Sequence, residues 1–184
     1  HIFIYHRFND ERHPSTNTTL NELRANFEYF KQNGYEVVSL EKLISALHKK
    51  EPIPDNWVVL TIDDNYKSFY NHGLALFKEY GYPFSMFVYV GATEKNYGDF
   101  MSWEELKEIQ KYGSLEFHSM NHPHMTHLSD EALKADFEEG LALFEKRLGF
   151  KPRYFSYPFG EFNPRVKKVA QSFGFEAILN QTMG

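Results

Sequence analysis

Apolar runs of strand length alternate along the chain with segments whose apolar residues recur every three to four positions. The runs cover 2–5, 35–38, 58–62, 84–90, 115–117, 154–157 and 177–179, which predicts seven strands. The helix-period segments predict helices over about 19–33, 41–48, 66–80, 102–112, 129–148 and 163–173. Ser102 followed by Glu105 is a capping box. Ser129 precedes an acidic first turn, Asp130 and Glu131, which suits the helix dipole. Gly34, Gly81, Gly113, Gly149 and Gly174 each stand just past a helical segment, where a left-handed residue ends a helix at little cost.

Strand–helix alternation implies right-handed βαβ units and a parallel sheet. Val58-Val59-Leu60 and Phe87-Val88-Tyr89-Val90 are apolar at successive positions, as strands buried on both faces are. A doubly wound open sheet and a barrel both satisfy this α/β pattern. No glycine-rich phosphate loop follows the first strand, so nucleotide-binding versions lose support. Residues 1–184 show neither repeat nor linker and read as one domain. The stretches 7–18 and 91–101 are expected to be structureless loops, each following a strand.

Composition narrows the chemistry. There are no cysteines and nine histidines. Thiol nucleophiles and Cys-ligated metals are excluded, so any metal must be held by His, Asp and Glu. The formal charge is −5 and no long basic run occurs, which argues against nucleic acid. No stretch approaches the roughly 20 apolar residues of a membrane span. The chain begins at His1 and enters an apolar stretch at once, and reads as a piece of a longer protein; no signal peptide is visible in it, which is not evidence for the cytoplasm.

The polar residues fall at strand ends. His6 follows the first strand, Asp63-Asp64 the third, His118 and His122 the fifth, and Tyr157-Pro158-Phe159-Gly160 the sixth. In a parallel α/β fold these ends share one rim, where chemistry is usually built. Adjacent carboxylates repel unless a cation or hydrogen bonds compensate; the plainer reading is a helix N-cap before Tyr66. Asn65 tolerates the left-handed region, and a tight turn there would aim the two aspartates apart. His118 and His122 stand at i and i+4, so a helical turn would let both meet one metal. His124 and His127 are weaker candidates because Pro123 favours a loop. A carboxylate with two histidines suits a catalytic metal site with open positions, and also the facial triad of non-haem iron oxygenases. His6 is either a packed core histidine or part of this rim. His13, His48 and His72 read as surface residues.

These residues carry a resemblance. Thr61-Ile62-Asp63-Asp64-Asn65 resembles the T-F-D-D-G motif of the polysaccharide deacetylases, the NodB-homology carbohydrate esterases. His118-Ser119-Met120-Asn121-His122 is similar to their H-[ST]-x-x-H motif, and Ser156-Tyr157-Pro158-Phe159-Gly160 to R-x-P-[YF]-G. Tyr5-His6-Arg7-Phe8 looks like the Y-H-x-F opening of the permuted branch that deacetylates poly-N-acetylglucosamine. The resemblance implies a distorted (β/α)7 barrel and removal of N-acetyl groups from N-acetylglucosamine units of a glycan outside the cytoplasm. It implies one divalent metal, usually zinc, with cobalt, nickel or iron as alternatives, held by Asp64, His118 and His122. It casts Asp63 as general base, His6 as general acid and the backbone N–H near Phe159 as an oxyanion donor, with Tyr157 and Pro158 at the substrate. Two departures stand out. Asn65 replaces glycine, and Ser156 replaces the arginine that in the family holds the base, for which Arg7 and Arg153 are the candidate substitutes. The lost arginine and an absent late L-x-H motif motivate a second reading, a glycan-binding homologue without turnover.

Overall fold

The computed structural model describes residues 1–182. Its strands are β1 (Ile2–Tyr5), β2 (Arg7–Phe8), β3 (Asn17–Thr18), β4 (Glu36–Val37), β5 (Trp57–Asp63), β6 (Ser85–Val88), β7 (Ser114–Phe117), β8 (Tyr154–Ser156) and β9 (Ala177–Leu179). Its α-helices are α1 (Leu20–Gln32), α2 (Leu40–Lys49), α3 (Leu74–Tyr80), α4 (Val90–Glu94), α5 (Trp103–Ile109), α6 (Asp130–Leu148) and α7 (Pro164–Gln171). All seven expected strands form. They make one parallel sheet in the order β1-β5-β6-β7-β8-β9, with β4 also on β5.

The sheet curls into a half-barrel, because its two faces bury different residues. Val58, Leu60, Ile62, Met86, Val88, Leu115, Phe117 and Phe155 pack outward into the larger core with α1, α3, α5, α6 and α7. Val59, Phe87 and Tyr154 face inward with Val38, Leu40 and Ile44, so α2 and the segment before it plug one end of the interior. The period of two along β5 therefore places Trp57, Val59, Thr61 and Asp63 on the inner face. Among the described residues no ladder joins β1 to β9, and the curl stays open there.

Several local expectations are corrected. The apolar run 84–90 is not all strand, nor is 91–101 all loop: β6 stops at Val88 and α4 covers Val90–Glu94. The helix expected over 66–80 forms from residue 67 to Tyr80, but Phe69–Gly73 within it is π-helical. Tyr66 stays outside it, bridged to Phe100. Neither Asp63 nor Asp64 accepts a helix N–H, which removes the N-cap reading. Gly113 has no positive φ; a Cβ there would lie 2.5 Å from Phe84, so glycine serves close packing rather than a left-handed cap. Gly34, Gly81, Gly149 and Gly174 do adopt positive φ. Finally, the loop 7–18 closes on itself through the short β2–β3 ladder. No described helix is long and apolar enough to cross a membrane.

Candidate active site

β5 ends at Asp63, and the chain then turns sharply. Asp64 (φ 71°) and Asn65 (φ 42°) are consecutive left-handed residues. The Asp64 N–H donates to the Phe87 carbonyl at 3.1 Å, and the fully buried Asn65 side chain holds the turn. Its Nδ2 donates to Thr93 Oγ1 at 2.9 Å, and its Oδ1 accepts the Tyr89 N–H at 2.8 Å. The adjacent aspartates thereby acquire different surroundings.

Asp63 stays inside the half-barrel, 2% exposed, beside Ile4, Ser156 and Gln181. Its side-chain partner is Gln181 Nε2 at 3.5 Å. Burial pushes its carboxyl up from the ordinary range, with His118 and His6 pulling the other way. The pairing of Tyr5 with Ile62 sets His6 beside Asp63 in register.

Asp64 faces the histidines instead. Its Oδ1 lies 3.0 Å from His122 Nε2 and 3.4 Å from His118 Nε2. Burial opposes its ionisation, but the two imidazoles outweigh that and hold the carboxyl well below its usual range. For His118, burial disfavours the cation, and Asp63 and Asp64 overcome this and raise its pKa.

His118 leaves β7 with its N–H on the Val88 carbonyl at 3.0 Å. Its Nδ1 meets the Ser156 carbonyl at 2.9 Å and Ser156 Oγ at 2.6 Å. Those contacts orient the ring with Nε2 toward Asp64. The i, i+4 pair does not meet through a helical turn. Residues 118–122 form a bend in which Ser119 (φ 71°) and His122 (φ 49°) are left-handed, and Ser119 Oγ accepts the His122 N–H at 2.8 Å. The His122 ring lies near Tyr89 and edge-on to Phe159.

Asp64, His118 and His122 offer ligand atoms within 4.8 Å of one another. Asp64 Oδ1 is buried and has no hydrogen-bond partner. An unpartnered carboxylate oxygen beside two Nε2 atoms is costly without a cation, so this donor set fits a divalent metal.

Phe159 sits at φ 59° in the turn Pro158–Gly160 and is 47% exposed. The Gly160 and Glu161 N–H groups bond to the Tyr157 and Pro158 carbonyls, and among the described residues none accepts the Phe159 N–H. Tyr157 and Pro158 are buried; Tyr157 packs on Phe155 and Phe162 and borders the small cavity at Asp63. His124 stacks on Phe159 and meets Glu161 at 3.0 Å, outside the ligand set.

Neither candidate arginine reaches the base. Arg7 bonds Asp10 and Asp99 and lies over the Tyr66 ring, while Arg153 bonds Glu176 and Glu41. Ser156 bonds His118 instead. Sequence reasoning also missed Asp136, which binds the loop between His118 and His122. The signal was present: 133, 136, 140 and 144 form the apolar stripe of α6, and position 136 is an acid.

The geometry thus defines an α/β half-barrel with a His–His–Asp cluster on its rim that could hold a cation. Residues 50–178 match the profile of one family, polysaccharide deacetylase. The chain belongs to the polysaccharide deacetylase family. It is 22% identical over 218 residues to the poly-β-1,6-N-acetyl-D-glucosamine N-deacetylase of Escherichia coli K12, covering 95% of this chain and 32% of that protein. The chain spans between 32% and 65% of the length of the curated relatives it matches. The Streptococcus pyogenes deacetylase PplD in complex with acetate superposes with a TM-score of 0.90 at 22% identity, over 100% of this chain and 84% of that one. IcaB from Ammonifex degensii gives 0.83 at 26% identity, over 95% and 80%.

Proposed function

We propose that this chain is a metal-dependent hydrolase removing N-acetyl groups from N-acetylglucosamine units of a polysaccharide outside the cytoplasm, with zinc at Asp64, His118 and His122. The observation that carries the reading is the split between neighbours. Asp64 Oδ1 is buried without a hydrogen bond among imidazoles, while Asp63 stays clear of that set. A divalent cation there supplies Lewis acidity toward water and toward the acyl oxygen. Asp63, made more basic by burial, takes the proton of the attacking water. The free N–H of Phe159 donates to the oxyanion that forms on the acetyl carbon. His6 delivers a proton to the departing sugar nitrogen, so acetate and a free amine leave. The poly-N-acetylglucosamine deacetylases among the relatives support this substrate class.

The test is acetate release from N-acetylglucosamine oligomers. Chelator should abolish it and added zinc or cobalt restore it. Intact, metal-loaded protein that releases no acetate would overturn the reading. The weak hold on Asp63 favours a second reading, glycan binding without turnover. Oligomer binding with no acetate under any metal would establish that alternative.

A further inference from the structure

We infer that Asp136 on α6 is a positioning residue of the cation site: it fixes the bend that aims His118 and His122 at one point. This rests on reading Asp64, His118 and His122 as metal ligands. Asp136 is 4% exposed, and its hydrogen bonds go to Met120 and Asn121 rather than to either histidine. Its Oδ2 accepts the Met120 N–H at 3.0 Å. Its Oδ1 accepts the Asn121 N–H at 2.9 Å and Asn121 Nδ2 at 3.1 Å. Both backbone donors lie in the three residues between the ligands.

Within the bend, only Ser119 Oγ, which accepts the His122 N–H, is a local tie. Ser119 and His122 both sit at positive φ, which side-chain-bearing residues adopt only when the surroundings impose it. The bend is tied from two sides. Its carbonyls at Ser119 and Met120 accept the Val90 and Gly91 N–H groups of α4, at 3.2 and 2.9 Å. Its N–H groups at Met120 and Asn121 go to Asp136. Close packing presses α6 against the bend, since a Cβ on Gly140 would stand 3.1 Å from the Met120 Cβ. Only a carboxylate accepts all three donors; an amide would turn its NH2 against a backbone N–H.

The experiment compares wild type, Asp136→Asn and Leu133→Ala. Leu133 lies one turn earlier on α6 and is fully buried, so its truncation weakens the helix packing without touching the bend. Zinc affinity is read by competition with a chromophoric chelator, and ligand geometry by the absorption of the cobalt form. Asp136→Asn should bind zinc about tenfold or more weakly and alter the cobalt spectrum. Leu133→Ala, though less stable, should keep both. Wild-type affinity and spectrum in folded Asp136→Asn would overturn the inference and leave the metal site standing. A wild type that binds no zinc would overturn the site itself. Should Asp136→Asn fail to fold, amide exchange in metal-free wild type decides. Protected Met120 and Asn121 amides support the clamp; exchange at the rate of exposed loops removes it.

Discussion

Ser156 holds His118 by two atoms, its carbonyl at 2.9 Å and its hydroxyl at 2.6 Å from Nδ1. Serine stands where the resemblance leads one to expect an arginine on the base aspartate. In this chain the position orients His118, a proposed metal ligand. Ser156→Ala keeps the carbonyl acceptor and loses the hydroxyl. It should bind zinc about tenfold more weakly, at the mild end for a lost outer-shell partner. Unchanged affinity together with a shifted pH–rate profile would show that Ser156 acts on Asp63 instead.

Asp63 and Asp64 are neighbours with separable roles. Asp63→Asn should retain zinc and lose activity by about 100-fold or more, because only the proton acceptor is gone. His122→Ala should lose zinc at micromolar concentrations, since its Nε2 is one of three converging donors. Metal content after desalting, set beside acetate release, separates the two. Loss of zinc from Asp63→Asn would reverse the assignment of ligand and base.

Much of this architecture is legible in the sequence. The apolar runs locate every strand of the large sheet, because doubly buried strands leave little room for polar residues. The positions just past the strand ends bring His6, Asp63, Asp64, His118 and His122 to one rim. The features that escape have physical causes. α4 is hidden because it is a short helix, Val90–Glu94, that follows directly on the unbroken apolar stretch 86–90, so no change of period marks the shift from strand to helix at Val90. The bend at 118–122 depends on left-handed residues that are not glycine, held by Asp136 and α4 from distant parts of the chain. Arg7 looks free to serve Asp63, and only the fold brings Asp99 into its reach.

The Arg7–Asp10–Arg12–Asp99 network should make the rim loops acid-sensitive. Arg12 and Arg7 bond the Asp10 carboxylate at 2.7–2.9 Å, and Arg12 continues to Asp99. The Arg12 hydrogen bond, partly opposed by burial and reinforced by Arg7, holds the folded carboxyl well below the usual range. A depressed carboxyl stabilises the fold above its unfolded pKa and loses that contribution as pH falls toward the folded value. Asp10→Asn should therefore cost about 2 kcal/mol at neutral pH. The gap from wild type should shrink steadily below about pH 4. Urea unfolding of both proteins across that range measures it. A gap that stays constant with pH would mean that the carboxylate charge contributes nothing.

Asn65 stands where the related motif carries glycine, and its backbone occupies the region glycine favours, at φ 42°. On backbone grounds alone, Asn65→Gly should relieve strain of up to about 1 kcal/mol. The side chain argues the other way. It is fully buried, donates to Thr93 Oγ1 and accepts the Tyr89 N–H, which joins the β5 turn to the start of α4. Each lost bond costs about 1 kcal/mol, and the Tyr89 N–H left behind adds the cost of an unmet buried donor. The hydrogen bonds outweigh the strain, so Asn65→Gly should destabilise by about 2–3 kcal/mol. Zinc affinity should fall with it, because the same turn aims Asp64 at His118 and His122. Denaturant midpoints and chelator competition on the one variant check both consequences. A variant as stable as wild type would show that the turn is held by its backbone alone.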